Sequence, residues 1–357
     1  MEQLKNRADG LDKKKVLLGL SGGVDSTAAA LLLKEKGFEV TGFYFDVTGV
    51  NKEGRREARQ VAEQLGIELI CADVSGEFRE KVIGNFCSEY LHGRTPNPCV
   101  VCNPNIKFKK LTETADSIGA YYIATGHYCR IFRNDETGAC YVSRAANEKK
   151  DQSYMLYRLG QDVLSRLIFP LGEFCDKEKT RELARSKNLQ NAEKKDSQEI
   201  CFVDPSENYV DYIKSLGYDS QPGNFIDREG KILGPHKGIV NYTIGQRKGL
   251  GIALGKPAFV TEIDYDRNTI TLGENEDLFS NKVVSSDNVF AFGKAEDYDG
   301  VKVMAKVRYS AKPSEAVIRV YDSRITTTFM EPQRAATPGQ SIVFYIDDYV
   351  IGGGFIE

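Results

Sequence analysis

Histidine is scarce in this chain, and long apolar runs are missing. Only three histidines occur in 357 residues, His92, His127 and His236. They are scattered, which excludes the ligand spacing of a histidine-rich metal site. No apolar run approaches the roughly 20 residues that a membrane-crossing helix needs. Residues Met1 to Lys15 are polar and lack the apolar core of a secretory signal, so the expected location is the cytoplasm. Strong charge of one sign is also missing, since 48 Lys and Arg against 51 Asp and Glu leave a net charge of −3. Any nucleic acid must therefore be held by local basic patches. Neither low-complexity segments nor a convincing internal repeat is present.

What is present is an ordinary globular composition, 41% hydrophobic and 28% charged, in a chain long enough for two or three domains. Its most informative stretch follows the apolar run Val16-Leu17-Leu18. There Gly19-Leu20-Ser21-Gly22-Gly23-Val24-Asp25-Ser26 leads into the helix-prone segment Thr27–Lys36. A strand, a glycine turn and a helix in succession aim backbone N–H groups at one point beside the positive end of the helix dipole. Glycine lets the backbone approach an anion closely, so phosphate is the natural ligand. The Gly-Lys-Ser/Thr ending of a Walker A loop is missing, which excludes that class.

Strands and helices alternate through the first 200 residues, which predicts a doubly wound parallel sheet with ligands at the carboxyl ends of its strands. Beyond Phe202–Ser206 the pattern turns to short strands separated by turn residues. The expected division is residues 1–204 as an α/β domain, 205–280 as a central β-rich domain and 281–357 as a terminal β-barrel.

Eight cysteines are present. In a reducing compartment most should be free thiols, and special ones catalytic or metal-binding. Cys99 and Cys102 form a C-x-x-C pair within Thr95–Asn103, a stretch whose prolines and asparagines predict a loop. Such a pair is redox-active, half a metal site, or incidental. Cys201 follows Lys194, Lys195 and a polar turn, and basic neighbours favour a nucleophilic thiolate. A buried structural cysteine fits the same pattern. Cys71 falls in a strand pattern, and Cys129 and Cys140 in a hairpin. Lys107, Lys109, Lys110, Lys194, Lys195, Arg247 and Lys248 supply local positive charge.

Taken in order, Ser21–Ser26, Asn97-Pro98-x-x-x-Cys102-Asn103, Ala124–Tyr128, Lys150–Tyr154, Asp196–Phe202, Gly245–Gly251 and Thr337–Ser341 closely resemble the bacterial tRNA-specific 2-thiouridylase family. That family belongs to the PP-loop ATP pyrophosphatases, and the resemblance runs from about Lys15 to the end. It implies conversion of the C2 oxygen of wobble uridine 34 to sulfur in tRNAs for Lys, Glu and Gln, with ATP cut to AMP and pyrophosphate and Mg2+ accompanying ATP. It assigns the nucleotide to Gly19–Ser26, Phe45 and Gly126. A persulfide on Cys201 supplies sulfur, Cys102 acts as nucleophile, and the pair finishes as a disulfide or through hydrogen sulfide. Asn97, Pro98 and Cys99 match the segment that meets the target base. His127 follows Thr125-Gly126 at a predicted strand end that faces the nucleotide, a place to touch phosphate or position the base, and equally a place for a hydrogen-bonded loop histidine. Lys150, Asp151, Gln152, Arg308, Tyr309 and Gln340 match tRNA-contacting positions. The implied partners are the tRNA anticodon stem-loop and a sulfur-donor protein, a cysteine desulfurase or sulfur relay. Many members carry aspartate where this chain has Cys99, so Cys99, Cys102 and Cys201 make a [4Fe-4S] cluster an alternative sulfur route. A different PP-loop ligase would need neither Cys102 nor Cys201, and a non-catalytic RNA-binding protein would not need Ser21–Ser26.

Overall fold

The structure is a computed structural model that describes residues 10–49, 51–186, 200–204 and 206–357. Its first part is built on a parallel sheet in the order β3-β2-β1-β4-β7: β1 (Asp12–Gly19), β2 (Glu39–Asp46), β3 (Glu68–Asp73), β4 (Ala120–Ala124) and β7 (Leu167–Ile168). Side chains alternate across a strand, and β1 uses this fully. Leu17 enters one hydrophobic core, while Val16 and Leu18 enter another on the opposite face. Helices on both faces cover those cores, as expected for a doubly wound sheet. Helix α1 (Val24–Glu35) buries Val24, Ala28, Ala29, Leu31 and Leu33. Helix α2 (Lys52–Leu65) buries Ala58, Val61, Ala62 and Leu65, one stripe at helical spacing. Asn51 caps its start by accepting from Gly54 N–H at 2.8 Å, and Gly66, at φ 61°, ends it.

Helix α3 runs through Ser75–Phe78, a π turn at Arg79–Ile83, and Gly84–Leu91. Helix α4 corrects the loop expected around the C-x-x-C pair. It begins at Pro98–Cys102, passes through a π turn at Asn103–Lys107 and continues as Phe108–Ser117. The residues that suggested a loop are its start signals. Asn97 is the N-cap and accepts from Cys99 N–H at 3.1 Å, and Pro98 stands at the first helical position, where no N–H is needed. Helix α5 (Lys177–Ser186) packs along α1, with Leu183 against that core. Helix α6 (Tyr209–Ser215) is capped by Asn208.

Two β-rich parts follow, as expected. The central one pairs β10 (Phe259–Asp264), β11 (Thr269–Gly273), β8 (Gly223–Ile226) and β9 (Ile232–His236) in that order over a core of Phe225, Ile239, Tyr242, Val260 and Ile270. The terminal part is a closed six-strand barrel. Its strands are β12 (Phe279–Phe290), β15 (Arg324–Arg334), β14 (Ser314–Tyr321), β13 (Lys302–Lys306), β16 (Ser341–Ile346) and β17 (Tyr349–Ile356), and β12 pairs back onto β17. Closure leaves no exposed edge within the ring. The hairpin β5 (Cys129–Arg133) and β6 (Cys140–Arg144) belongs to the first part but joins the barrel sheet through Ser143 and Tyr349. Among the described residues no helix is long and apolar enough to cross a membrane.

Candidate active site

β1 delivers Gly19 to the carboxyl edge of the parallel sheet, and Leu20–Gly23 turns there into α1. Gly22 has φ +80°, and a Cβ on it would lie 2.9 Å from the backbone nitrogen of Ala58 in α2, so only glycine fits. Gly23 caps α1 with extended backbone. The two serines tie the turn. Ser26 Oγ donates to Gly23 O at 3.0 Å, and the N–H groups of Ser21 and Gly23 donate to Ser26 Oγ and Ser21 Oγ, each at 3.2 Å. Buried Val24 pins the first helical turn to the core. The other two residues assigned to the nucleotide arrive at the same edge. A Cβ on Gly19 would stand 3.4 Å from the Phe45 ring, and one on Gly126 would stand 2.8 Å from Ser26 N. The loop Gly19–Ser26, Phe45 and Gly126 therefore converge at the positive end of α1, with Leu20 and Val24 turned into the core.

Asp25 lies in the first turn of α1. Tyr128 OH donates to Asp25 Oδ1 at 2.8 Å and meets Thr180 Oγ1 of α5 at 3.1 Å. Neither Tyr128 nor Thr180 was singled out from sequence in this role, because no short motif links positions so far apart. A hydrogen bond to a carboxylate contributes about 1.5–3 kcal/mol. Tyr128→Phe, which keeps the ring, is expected to lower kcat/KM for ATP by about tenfold or more and to lower the melting temperature as the buried bond is lost. Steady-state kinetics beside a thermal melt checks this.

The second half of the site is a group of sulfurs around one lysine. Cys102 is buried among Val74, Phe78, Val82 and Ile106, with Phe45 and Phe202 against the same cluster. Phe202 sets the place of its neighbour Cys201. Its ring packs edge-on to Phe78 at 5.5 Å and to Phe86 at 5.2 Å. Cys99 is half-buried and Cys201 exposed, and all eight cysteines are free thiols. Burial pushes the Cys102 thiol up to about 11, against the pull of Lys107, with the negative sulfurs of Cys201 and Cys99 raising it further. Burial also raises the Cys201 thiol more than Lys107 lowers it. The thiolate expected at Cys201 from neighbouring lysines is thus opposed by desolvation. Lys194, Lys195 and Asp196–Glu199 lie outside the described residues. Cys201 is open to solvent and yet desolvated, which is the condition of a group lining a cleft.

Among the described residues, no three or more His, Cys, Asp or Glu side chains converge closely enough to hold a metal ion, and that includes Cys99, Cys102 and Cys201.

His127 joins the two halves. It directly follows Gly126, which rests on the glycine loop, and its ring stacks on Phe108 of α4 at 6.1 Å. Its Nδ1 is 2.8 Å from Thr125 Oγ1. Burial, and then the charge of Lys107, pull its pKa down to about 3, so the ring is neutral at physiological pH.

The positions assigned to tRNA divide by environment. Asn97, Pro98 and Cys99 open α4 beside the sulfurs. Lys150 is partly exposed on the neighbouring loop. Asp151 is buried, and its carboxylate accepts from Ala145 N–H at 3.1 Å and from Ser153 Oγ at 2.8 Å. Gln152 Oε1 accepts from Tyr128 N–H at 2.9 Å. The barrel brings Tyr309 to the same region: burial raises its phenol, and the negative forms of Asp151, Cys129 and Cys99 add to the effect. Lys306, a buried barrel lysine, stands 5.7 Å from both the Tyr154 and Tyr309 rings. Arg308 donates to Arg334 O at 2.7 Å. Gln340 Nε2 donates to Thr95 O at 2.8 Å, just before α4. The lysines of α4 differ from the expected basic patch. Lys110 pairs with Glu77 at 2.8 Å, Lys109 lies 3.9 Å from Glu113, and Lys107 faces the sulfurs. Arg247 and Lys248 are exposed.

This arrangement meets its counterpart in known proteins. A profile described as the tRNA methyl transferase HUP domain matches residues 14–205. The tRNA methyl transferase PRC-barrel domain matches 211–274, and the aminomethyltransferase beta-barrel domain 284–356. The tRNA-specific 2-thiouridylase MnmA of Clostridium acetobutylicum is 46% identical over 359 residues, covering 96% of this chain and 99% of that protein. The chain belongs to the tRNA-specific 2-thiouridylase family. A second 2-thiouridylase MnmA, from Carboxydothermus hydrogenoformans, is 46% identical and covers 98% of this chain and 99% of its own length. Among solved structures, NMN synthetase from Francisella tularensis aligns at 15% identity over 55% of this chain and 74% of that one, with a TM-score of 0.35. The 2-thiouridylase likeness thus spans the glycine loop, the cysteine cleft and both β-rich parts.

Proposed function

We propose that this protein is a cytoplasmic tRNA 2-thiouridylase that replaces the C2 oxygen of wobble uridine 34 with sulfur in an ATP-dependent reaction. The observation that carries the reading is the continuity of Gly126 and His127. One residue rests on the glycine loop and the next stacks on Phe108 of the cysteine helix, within the field of Lys107, which supports a reading in which an activated base and a sulfur nucleophile share one space. The C2 carbonyl of uracil is a poor electrophile, and oxide is a poor leaving group. In this reading the C2 oxygen attacks the α-phosphorus of ATP held over Gly19–Ser26, and pyrophosphate leaves. The fixed N–H donors and dipole of the loop stabilise the charge that develops. Asp25 offers the hard oxygen donor that a Mg2+ ion travelling with ATP would use.

The terminal sulfur of a Cys201 persulfide then attacks C2, and AMP departs with the oxygen. Cys102 attacks the inner sulfur of Cys201, which breaks the S–S bond to the base. That step releases 2-thiouridine and leaves a Cys102–Cys201 disulfide for a cellular thiol to reduce. A cysteine desulfurase or sulfur relay reloads Cys201, which is the exposed member of the pair. Asn97, Pro98, Cys99 and His127 meet the extruded base, while Lys150, Gln152, Arg308 and Tyr309 meet its stem-loop. Single-stranded bases are commonly read by stacking and edge hydrogen bonds. Residues 1–204 form the catalytic unit in this division of labour, with 205–280 and 281–357 as the parts that orient tRNA.

The test is incubation of the purified protein with ATP, unmodified tRNA and a persulfide donor. Mass spectrometry should find 2-thiouridine at position 34, with AMP and pyrophosphate formed together. ADP as the stoichiometric product would refute the reading. AMP production without the two thiols would favour a PP-loop ligase.

A further inference from the structure

An α-helix turns about 100° per residue, so residues five apart point about 140° away from each other. On a regular helix Lys107 would face away from Cys102. The π turn at Asn103–Lys107 changes this, with Phe108 N–H bonding back to Asn103 O across five residues. Its wider ring returns the fifth residue to the face of the first. Lys107 accordingly comes back over Cys102, where its charge works against the rise that burial imposes on that thiol.

The ammonium acts on more than Cys102. Cys99 on the same helix, Cys201 from the following segment and His127 at the end of β4 all lie within its electrostatic reach. Burial pulls the Lys107 ammonium down, but the three sulfurs together outweigh burial and raise it, so it stays charged. Within that reach His127 is neutral, and the lysines two and three residues on engage Glu77 and Glu113. One cation is thus shared among three sulfurs, and at Cys102 and Cys201 it opposes the burial that raises their thiols.

We propose that Lys107 is a positioning residue that serves as shared counter-ion to Cys99, Cys102 and Cys201, with its charge moving from one sulfur to the next as the negative charge moves during sulfur transfer. In the sequence of steps above, the negative charge first sits on the persulfide of Cys201. It then sits on Cys102 as that thiolate attacks, and returns to Cys201 when the disulfide is reduced. A flexible four-carbon stem carrying a point charge suits this task. The order of steps rests on the thiouridylase reading, but the shared counter-ion does not.

The test is the pH dependence of iodoacetamide alkylation at Cys201, followed by peptide mass spectrometry on the full-length protein without tRNA or sulfur donor. Thiolate is the reacting species, so the rate reports its population. Lys107→Met and Lys107→Gln are each expected to move the midpoint to higher pH and to slow alkylation at pH 7.5 by about tenfold. Lys107→Arg should stay within about threefold of the wild type. Thermal stabilisation by ATP should persist in all three. An unchanged midpoint in Lys107→Met or Lys107→Gln overturns the proposal, and so does an arginine variant as slow as the methionine one. Failure of tRNA thiolation with a shifted alkylation midpoint would refute the thiouridylase reading and leave the counter-ion standing.

Discussion

Cys201→Ser and Cys102→Ser are each expected to reduce 2-thiouridine formation by roughly a thousandfold or more. Serine nearly matches cysteine in shape, so α4 and the Phe202 cluster should hold their places. What is lost differs between the two. In the proposed mechanism the exposed Cys201 carries the transferable sulfur, so its serine variant should accept no persulfide label. The proposed mechanism makes the buried Cys102 the resolving nucleophile, so its variant should still load sulfur on Cys201 and form AMP, then stall. A radiolabelled sulfur chase read on denaturing gels separates the outcomes. Cys71→Ser, on β3 and outside the cleft, should remain near wild type. Thiolation surviving in either of the first two variants would mean that other sulfurs do the work.

Gly126→Ala is expected to be nearly as damaging, for a purely steric reason. The added methyl would lie 2.8 Å from Ser26 N and 2.9 Å from the Asp25 carbonyl carbon, both backbone atoms at the start of α1. Neither can rotate away, so the loop itself must shift. Overpacking of this kind costs about 1–3 kcal/mol. The larger effect falls on the nucleotide, because donors displaced by even a fraction of an ångström no longer match phosphate oxygens. The melting temperature should fall by several degrees, and stabilisation by added ATP should disappear. A variant that binds ATP like the wild type would show that the loop does not form the nucleotide site.

The glycine loop was legible in the sequence because its chemistry is local. Strand, turn and helix follow one another within Val16–Glu35, and both serines bond within the turn they belong to. The doubly wound sheet was legible from its alternation. The β5–β6 hairpin could be found, but not its attachment to the barrel, since Ser143 and Tyr349 meet through tertiary packing alone. Only the opening of α4, Pro98–Cys102, was misread as loop, because asparagine and proline mark loops and helix starts alike. Lys107 was read only as part of the local positive charge, and its place over Cys102 was not legible because a five-residue offset faces away on any regular helix. Asp151 shows the same limit. Its Lys-Asp-Gln surroundings look exposed, whereas the side chain is enclosed by Ala145 and Ser153.

Thr95 gives the cysteine helix a history as well as a position. Its N–H donates to Pro338 O at 2.8 Å, its carbonyl accepts from Gln340 at 2.8 Å, and Gly339, between them, donates to Ile356 O at 3.0 Å. On the ribosome, Thr95 emerges long before Gln340, which stands 245 residues later in the chain. A nascent chain can thus complete its parallel sheet while the entry to α4 still lacks its brace. The two bonds that hold Thr95 at the entry to α4 can form only once Pro338 and Gln340 have been made.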